Sequence, residues 1–321
     1  MEEVKINKKP KLKKPYLIAA WPGMGEVAFK AAKCLVDQLK AEEFAQIPPG
    51  DFFYSTGSII QEGIVSLPEF PYGKFYYWKN KAGDNDLIVF ISNAQPDLAK
   101  AEEYSNRILH VAKSFKVKSI VSFAAMPQAI DHTQESRVWF TATSKEVSIL
   151  LSRHNLEALL QGQISGMNGL FLGAAKKEGF DGFCLLGEIP LYTIQIENPK
   201  AAYAVLEALT RVLKIKLDLS SLINETHNME TEINKLLDYL KVGSAPGPIG
   251  EDDIEKIKKS LTQLTKLPIS VKDNIEKLFK ESGEDITKAN ELKAELDKWS
   301  VYKEYEDRFL DLFKRKKEGD N

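Results

Sequence analysis

The stretch Tyr16-Leu17-Ile18-Ala19-Ala20-Trp21-Pro22-Gly23-Met24-Gly25-Glu26 decides the fold class of this chain. Its first part is a short apolar run between Pro15 and Pro22, and a run of that length followed by turn residues predicts a buried β-strand. From Glu26 to Leu39 the apolar residues recur every three to four positions, which predicts an amphipathic helix. A buried strand, a glycine-rich turn and a helix are typical of the start of a doubly wound α/β domain.

The turn has the spacing of a dinucleotide-binding loop. Gly23, Gly25 and Ala28 follow the pattern G-x-G-x-x-A, in which glycines let a pyrophosphate approach a helix N-terminus. Glu26 argues against this interpretation, because it places a negative charge where the phosphate would lie. An acidic residue should also bind the ribose about 20 residues further on, yet the matching segment ends in Pro48-Pro49. We therefore favour a structural turn, with Glu26 near the positive end of the helix dipole, and expect no cofactor.

The composition predicts a soluble globular protein. The chain has 321 residues, of which 43% are hydrophobic, enough for one large domain and a smaller one. Its 44 basic and 46 acidic residues give a net charge of −2, so we expect no global attraction to nucleic acid or to an anionic membrane. Cys34 and Cys184 lie in predicted core segments, as in a reducing compartment. The sequence shows no signal peptide, membrane span or Cys/His metal motif, and we expect a cytoplasmic protein.

Strand and helix patterns alternate along the first two thirds of the chain. Residues 57–67 are predicted to form a short hairpin, and residues 74–79 a strand with one buried face. Residues 87–91 are almost continuously apolar, which is typical of a parallel sheet. Residues 119–123 repeat that pattern, and Met126-Pro127-Gln128 is expected to end the strand.

Glycines recur on one predicted helix, at residues 163–177. Gly166, Gly169 and Gly173 place small residues near one another on the helix surface. Because glycine allows a close approach of the backbone, we expect all three to lie at a tight contact.

The sequence changes character after about residue 218, where strand signals end. Residues 243–250 are rich in Gly, Pro and Ser and predict a linker. It would separate an α/β domain at residues 1–242 from a charged helical extension at residues 251–321. The extension has mixed charge and an apolar stripe, which indicates helices packed on themselves or on a neighbour. A free partner-binding helix is the alternative.

Six short motifs occur in an order that resembles a known family. They are residues 17–25 with Trp21-Pro22-Gly23, Asn93-Ala94-Gln95-Pro96, Thr141-Ala142-Thr143, Gly166-Met167-Asn168-Gly169-Leu170, Gly187-Glu188-Ile189-Pro190 and Glu197-Asn198-Pro199-Lys200-Ala201-Ala202. Over about the first 240 residues the chain resembles the proteasome assembly chaperone 2 family. The resemblance implies a three-layer α/β/α domain similar to the purine nucleoside phosphorylase-like fold. It also implies an oligomeric chaperone with protein partners.

The chain departs from that family at its end. Family members that dock on the proteasome α-ring use a C-terminal hydrophobic-tyrosine-any tail, whereas this sequence ends in Lys316-Lys317-Glu318-Gly319-Asp320-Asn321. We therefore expect no proteasome docking by that route. The helical extension is a candidate replacement surface.

Polar residues at the predicted strand ends form a candidate cleft. In an open α/β sheet, ligands bind beyond the carboxyl ends of the strands. The residues expected there are Gly23, Gly25, Glu26, Asn93, Gln95, Gln128 and Glu188. If burial shifts the pKa of one of them, Glu26 and Glu188 form an acid/base pair. The alternative is that these side chains cap helices and fasten loops.

The sequence leads to two functional hypotheses of different class. The sequence contains neither the phosphate loop G-x-x-x-x-G-K-[ST] nor the nucleophile elbow G-x-S-x-G. We therefore favour a non-catalytic homo-oligomeric chaperone or scaffold over an enzyme or small-molecule binder that uses the cleft. Because interface cores favour aromatic anchors, the candidate interface residues are Tyr76, Trp78, Trp299, Tyr302 and Phe309.

Overall fold

The computed structural model describes residues 4–54, 57–242, 269–298 and 301–314. The chain divides into two compact units, Met1–Asn228 and Met229–Asn321. The predicted linker at residues 243–250 lies outside the described residues, so the domain boundary there stays a prediction.

The strands are β1 (Lys5–Ile6), β2 (Tyr16–Ala20), β3 (Glu42–Ile47), β4 (Ile59–Gln61), β5 (Ile64–Ser66), β6 (Gly73–Trp78), β7 (Leu87–Ser92), β8 (Ser119–Gln128), β9 (Val138–Ala142), β10 (Glu157–Ala158) and β11 (Gly182–Pro190). The helices that follow them are α1 (Val27–Leu39), α2 (Ala101–Ser114), α3 (Lys145–Ser152), α4 (Met167–Lys177), α5 (Pro199–Leu213) and α6 (Ser220–Val242). The second unit contains α7 (Ile269–Glu284), α8 (Ala289–Lys298) and α9 (Tyr302–Lys314). Its boundary with the first unit falls within α6.

Among the described residues, one nine-stranded sheet has the order β1-β3-β6-β7-β2-β8-β11-β9-β10. The four central strands β7, β2, β8 and β11 are parallel, while β1, β3 and β6 pair antiparallel on one side. On the other side β9 runs antiparallel to β11. The sheet is therefore mixed, with a parallel centre. The predicted hairpin is present as a separate pair, β4 and β5.

Helices cover both faces of the sheet. Successive strand residues point to opposite faces. The first face carries Ile18, Val121 and Leu185 and is covered by α1 and α5. The second face carries Leu17 and Leu186 and is covered by α2 and α4. The predicted three-layer α/β/α fold is thus confirmed, and a helical C-terminal part follows it.

Strand β8 differs from its prediction because it continues through Met126 and Pro127 to Gln128. The pairing of β2 with β8 ends at Ser122, whereas β11 pairs with β8 as far as Gln128. Beyond Ser122 one side of β8 therefore has no partner strand from β2. A proline without an N–H is tolerated at such an edge position.

The prediction of three tightly packed glycines is correct for Gly166 and Gly169 and wrong for Gly173. A Cβ added at Gly166 would lie 2.8 Å from the Gln95 Nε2. A Cβ added at Gly169 would overlap the carbonyl oxygen of Ile164. At Gly173 nothing lies within 4 Å of such an atom. Gly166 has a φ of 73°, a left-handed conformation that glycine adopts readily.

The second unit has its own apolar core. Ile275, Phe279, Leu292, Leu296 and Phe309 are buried in it, and Tyr302 packs against it, partly buried. Trp299 lies outside the described residues. None of the helices in the described ranges has the length and apolar character needed to cross a bilayer.

Candidate functional site

A cavity of about 280 Å³ lies at the C-terminal ends of β2 and β8. Gly23 and Met24 line it from the turn after β2, Gln128 lines it from β8, and Asn168 lines it from α4. The volume is near the lower limit of small-molecule sites, about 300 Å³. The cavity lies where the sequence predicts a cleft, and two of the predicted residues, Gly23 and Gln128, line it.

Gln95 and Asn93 fasten loops near the strand ends. The Gln95 Nε2 donates to the carbonyl oxygen of Pro22 at 2.7 Å, and its Oε1 accepts from the Met167 N–H at 3.0 Å. The Asn93 Oδ1 accepts from the Tyr72 N–H at 2.8 Å. Both amides therefore form hydrogen bonds within the protein.

Glu188 and Glu26 do not form the predicted acid/base pair. Glu188 is buried and accepts a hydrogen bond from the Trp139 Nε1 at 2.8 Å. Since Leu186 lies on the second face of the sheet, Glu188 points to that face as well. Glu26 directly precedes α1, which covers the first face. The sheet separates the two carboxyl groups, and the sequence pattern alone could not assign Glu26 to a face.

The backbone of the glycine-rich turn is already hydrogen-bonded. The Gly25 N–H donates to the Ile194 carbonyl at 2.8 Å, and the Glu26 N–H donates to the Gly23 carbonyl at 2.9 Å. The Asn198 N–H donates to the Gly25 carbonyl at 2.7 Å. Gly25 has a φ of 60°, which favours glycine. Two N–H groups that could bind a pyrophosphate, those of Gly25 and Glu26, therefore already have carbonyl partners within the protein.

A buried ion-pair cluster lies beside that turn, and the sequence analysis missed it. The Lys30 ammonium of α1 lies 2.8 Å from a carboxylate oxygen of Glu197 and 2.5 Å from one of Glu225. Lys30 is only 8% exposed. Burial disfavours its charged form, but the attraction of the two carboxylates outweighs that effect and raises the pKa of Lys30.

Glu26 is the third carboxyl group at this cluster. Burial, and then repulsion from Glu197, raise the pKa of Glu26 to about 7, while Lys30 and a backbone hydrogen bond from Gly23 oppose the shift. Its side chain makes no capping hydrogen bond to α1. A carboxyl group that titrates near neutral pH suits proton transfer. Glu26 is not, however, among the residues that line the strand-end cavity.

Asn168 is a second residue whose role the sequence analysis missed, although it lies within a motif that carried the family resemblance. It is 5% exposed. Its side-chain amide forms hydrogen bonds with the backbone of Trp21, which is fully buried. Asn168 therefore fixes the start of the turn that follows β2.

The hairpin of β4 and β5 exposes aliphatic side chains on both of its faces, and we call it the apolar hairpin. Ile60 is 72% exposed, Ile64 71% and Val65 65%, and Ile60 lies opposite Val65 in the pairing. By contrast, the predicted interface residues Tyr76 and Trp78 are partly buried against the first-face core. The larger exposed apolar surface is therefore in the hairpin.

Among the described residues, no group of three or more His, Cys, Asp or Glu side chains is placed to hold a metal ion. The two thiols are also poorly placed for reaction. Burial raises the pKa of Cys34 to about 11 and that of Cys184 to about 12.

Known proteins match about three quarters of this chain. A family model described as the PAC2 family matches residues 17–237. An uncharacterized protein of Methanocaldococcus jannaschii is 28% identical over 253 residues, which cover 75% of this chain and 92% of that protein.

Two crystal structures from Pyrococcus furiosus are similar. PbaB, an archaeal proteasome activator, is 27% identical with a TM-score of 0.64, and the match covers 74% of this chain and 99% of PbaB. PbaA, an archaeal homolog of proteasome-assembly chaperone, is 24% identical with a TM-score of 0.57, and the match covers 75% of this chain and 94% of PbaA. At this level of identity, the PbaA match shows only that the two proteins share a fold.

Proposed function

The chain belongs to the PAC2 family, and from that membership we propose that it is a non-catalytic, homo-oligomeric chaperone or activator that acts on proteasomes through protein contacts. The observation that carries the proposal is the similarity to the proteasome activator PbaB, at 27% identity over 99% of PbaB.

The strand-end residues argue against a catalytic site of the predicted acid/base kind. Gln95, Asn93 and Glu188 form hydrogen bonds within the protein. The cavity near them is lined by amide, apolar and glycine residues and by Ser165, and no carboxylate lines it among the described residues. An enzyme site of the predicted acid/base kind needs two carboxyl groups facing one cavity. Here Glu26 faces a buried ion-pair cluster instead.

The apolar hairpin supports a protein contact. Contiguous exposed apolar patches mark interaction sites on soluble proteins, and an isolated two-stranded hairpin is only marginally stable in water. Burial against another chain is favourable because it removes the exposed side chains of Ile60, Ile64 and Val65 from water. We propose the apolar hairpin as the contact surface, either between copies of this chain or with a proteasome subunit.

The test uses the purified full chain and the proteasome core particle of the same organism. We expect light scattering to give a homo-oligomer, and mixing with core particles to give co-elution and a changed rate of fluorogenic peptide hydrolysis. A monomer that binds neither core particles nor free α-subunits contradicts the proposal. So does a nucleotide, nucleoside or amino acid that binds the wild-type chain and is lost in Glu26→Gln or Glu188→Gln.

A matched pair of variants tests the contact surface. Ile60→Ser with Ile64→Ser should weaken self-association or core-particle binding. Leu98→Ser with Leu160→Ser is the control, because these leucines are 82% and 90% exposed and lie outside the hairpin. If both double variants weaken association or binding equally, the cause is the removal of exposed apolar side chains in general and not the apolar hairpin.

A further inference from the structure

A second surface of the first unit has a different chemistry. The N-terminal arm, residues 4–12, lies along α2 and leaves a groove of about 970 Å³ between them, which we call the arm groove. Its volume is near the upper limit for ligand sites, about 1,000 Å³. The strand-end cavity and the apolar hairpin share no lining residue with it.

The floor of the arm groove is apolar. Ile6 and Leu12 of the arm and Phe115 after α2 are partly buried against the second-face core, and all three line the groove. Their remaining surface faces the open space. An apolar floor of this kind favours a ligand that carries aliphatic or aromatic groups.

The arm is held at both ends, so the groove is a preformed feature. Lys5 and Ile6 pair with β3. At the other end the Lys13 N–H donates to the Asp86 carboxylate at 2.6 Å. A preformed site costs little ordering entropy on binding.

The rim of the arm groove is basic. Lys9 and Lys11 lie on the arm and Lys116 lies beyond the end of α2, and all three are exposed. Within the described part of the chain, none of these three ammonium groups has a carboxylate partner. Glu103 also lines the groove, but it pairs with Arg107 at 2.9 Å. The rim therefore has an excess of positive charge on both walls.

We propose that the arm groove binds an extended acidic peptide segment that carries apolar side chains. The three cations are distributed over two walls, which matches a chain with several carboxylates better than a ligand with a single charge. The apolar floor takes up the aliphatic side chains between them. The proposal does not depend on the proposed proteasome function, because the site and its chemistry are separate from the apolar hairpin.

The experiment measures fluorescence anisotropy of a labelled peptide of alternating Leu and Glu on addition of the full chain. Saturable binding is expected, and it should weaken as NaCl rises from about 50 mM to about 300 mM, since salt screens exposed charges. The double variant Lys9→Glu/Lys11→Glu should bind at least about tenfold more weakly. The control Lys33→Glu/Lys81→Glu makes the same charge change at exposed lysines outside the groove and should bind within about twofold of wild type.

Three further probes separate the alternatives. A Ser-Glu peptide should bind more weakly than the Leu-Glu peptide, because it cannot use the apolar floor. A Leu-Lys peptide should not bind, because the rim would repel it. Equal binding of Leu-Glu and Leu-Lys peptides, or equal weakening by the two double variants, contradicts the proposal. Binding of laurate without binding of the Leu-Glu peptide overturns it in favour of a fatty-acid site.

Discussion

The side-chain amide of Asn168 satisfies both polar groups of the Trp21 backbone. The Trp21 N–H donates to the Asn168 Oδ1, and the Asn168 Nδ2 donates to the Trp21 carbonyl oxygen, each at 3.0 Å. The Trp21 indole packs between Phe90 and Phe171, with ring centroids at 5.4 Å from each. Helix α4 thereby fixes the place where β2 ends and the glycine-rich turn begins.

Replacing this amide should destabilise the first unit. Asn168→Ala leaves a buried N–H and a buried C=O without partners, and we expect the free energy of unfolding to fall by about 2 kcal/mol. Urea denaturation followed by circular dichroism measures it. Asn106→Ala, at an exposed position of α2, should change the free energy of unfolding by less than about 0.5 kcal/mol. A similar midpoint for both variants would show that the Trp21 backbone is satisfied in another way.

Glu26 should make stability depend on pH. Its pKa is raised from an ordinary 4.5 to about 7, so the folded state binds a proton more tightly than the unfolded state. The stability that this proton contributes is complete below about pH 4.5 and is lost as the pH rises through 7. Glu26→Gln resembles the protonated form at every pH. It should therefore match wild type at pH 4.5 and be more stable at pH 8, on the order of 2 kcal/mol.

Urea midpoints of both proteins at a series of pH values measure this difference. Glu135→Gln is the control, because it removes one carboxyl group at an exposed position. Parallel pH profiles for Glu26→Gln and wild type would mean that Glu26 ionises as freely in the folded chain as in the unfolded one.

The two glycines of α4 should respond in opposite directions to the same substitution. Gly169→Ala pushes a methyl group against the backbone oxygen of Ile164 and should lower the free energy of unfolding by about 1 to 3 kcal/mol. Gly173→Ala meets open space and should raise it by up to about 1 kcal/mol through helix propensity. Denaturant midpoints of the two variants provide the comparison. If both substitutions lower stability equally, the contact with Ile164 is not the cause.

The α/β part should fold without the C-terminal extension. The first-face and second-face cores are formed by residues within the first unit. We therefore expect residues 1–242, expressed alone, to unfold in one cooperative transition in calorimetry. The full-length chain is the reference. A broad transition without a heat-capacity peak would show that the extension is needed for the fold.

The strands were predictable where the apolar pattern was local. The run Tyr16–Ala20 is bounded by turn residues, and it forms the fully buried strand β2. The hairpin was predictable for the same reason, because Glu62-Gly63 lies between two short apolar runs. In the structure both residues take positive φ values, as tight hairpin turns require. The end of β8 was not predictable. Pro127 is tolerated there because β2 does not pair with β8 beyond Ser122, and β2 is far away in sequence.

The candidate site was harder to predict because it depends on contacts between distant residues. Lys30 resembles a solvent-facing lysine in the helical pattern. Its partner Glu197 lies just before α5, and its partner Glu225 lies on α6. Nothing local indicates that three such groups meet. For the same reason, the sequence pattern does not distinguish Glu26 from Glu188 at the strand ends, although the sheet places them on opposite sides.

The ion pairs of Lys30 also limit how the sequence can change over evolution. Losing Lys30 alone leaves the buried carboxylate of Glu197 and the partly buried one of Glu225 without a counter-charge. Losing either glutamate weakens the compensation for a buried ammonium. Joint replacement of all three by apolar residues of similar volume avoids these penalties. The positions of Lys30, Glu197 and Glu225 should therefore be inherited as a unit, so that related sequences keep all three charges or lose them together.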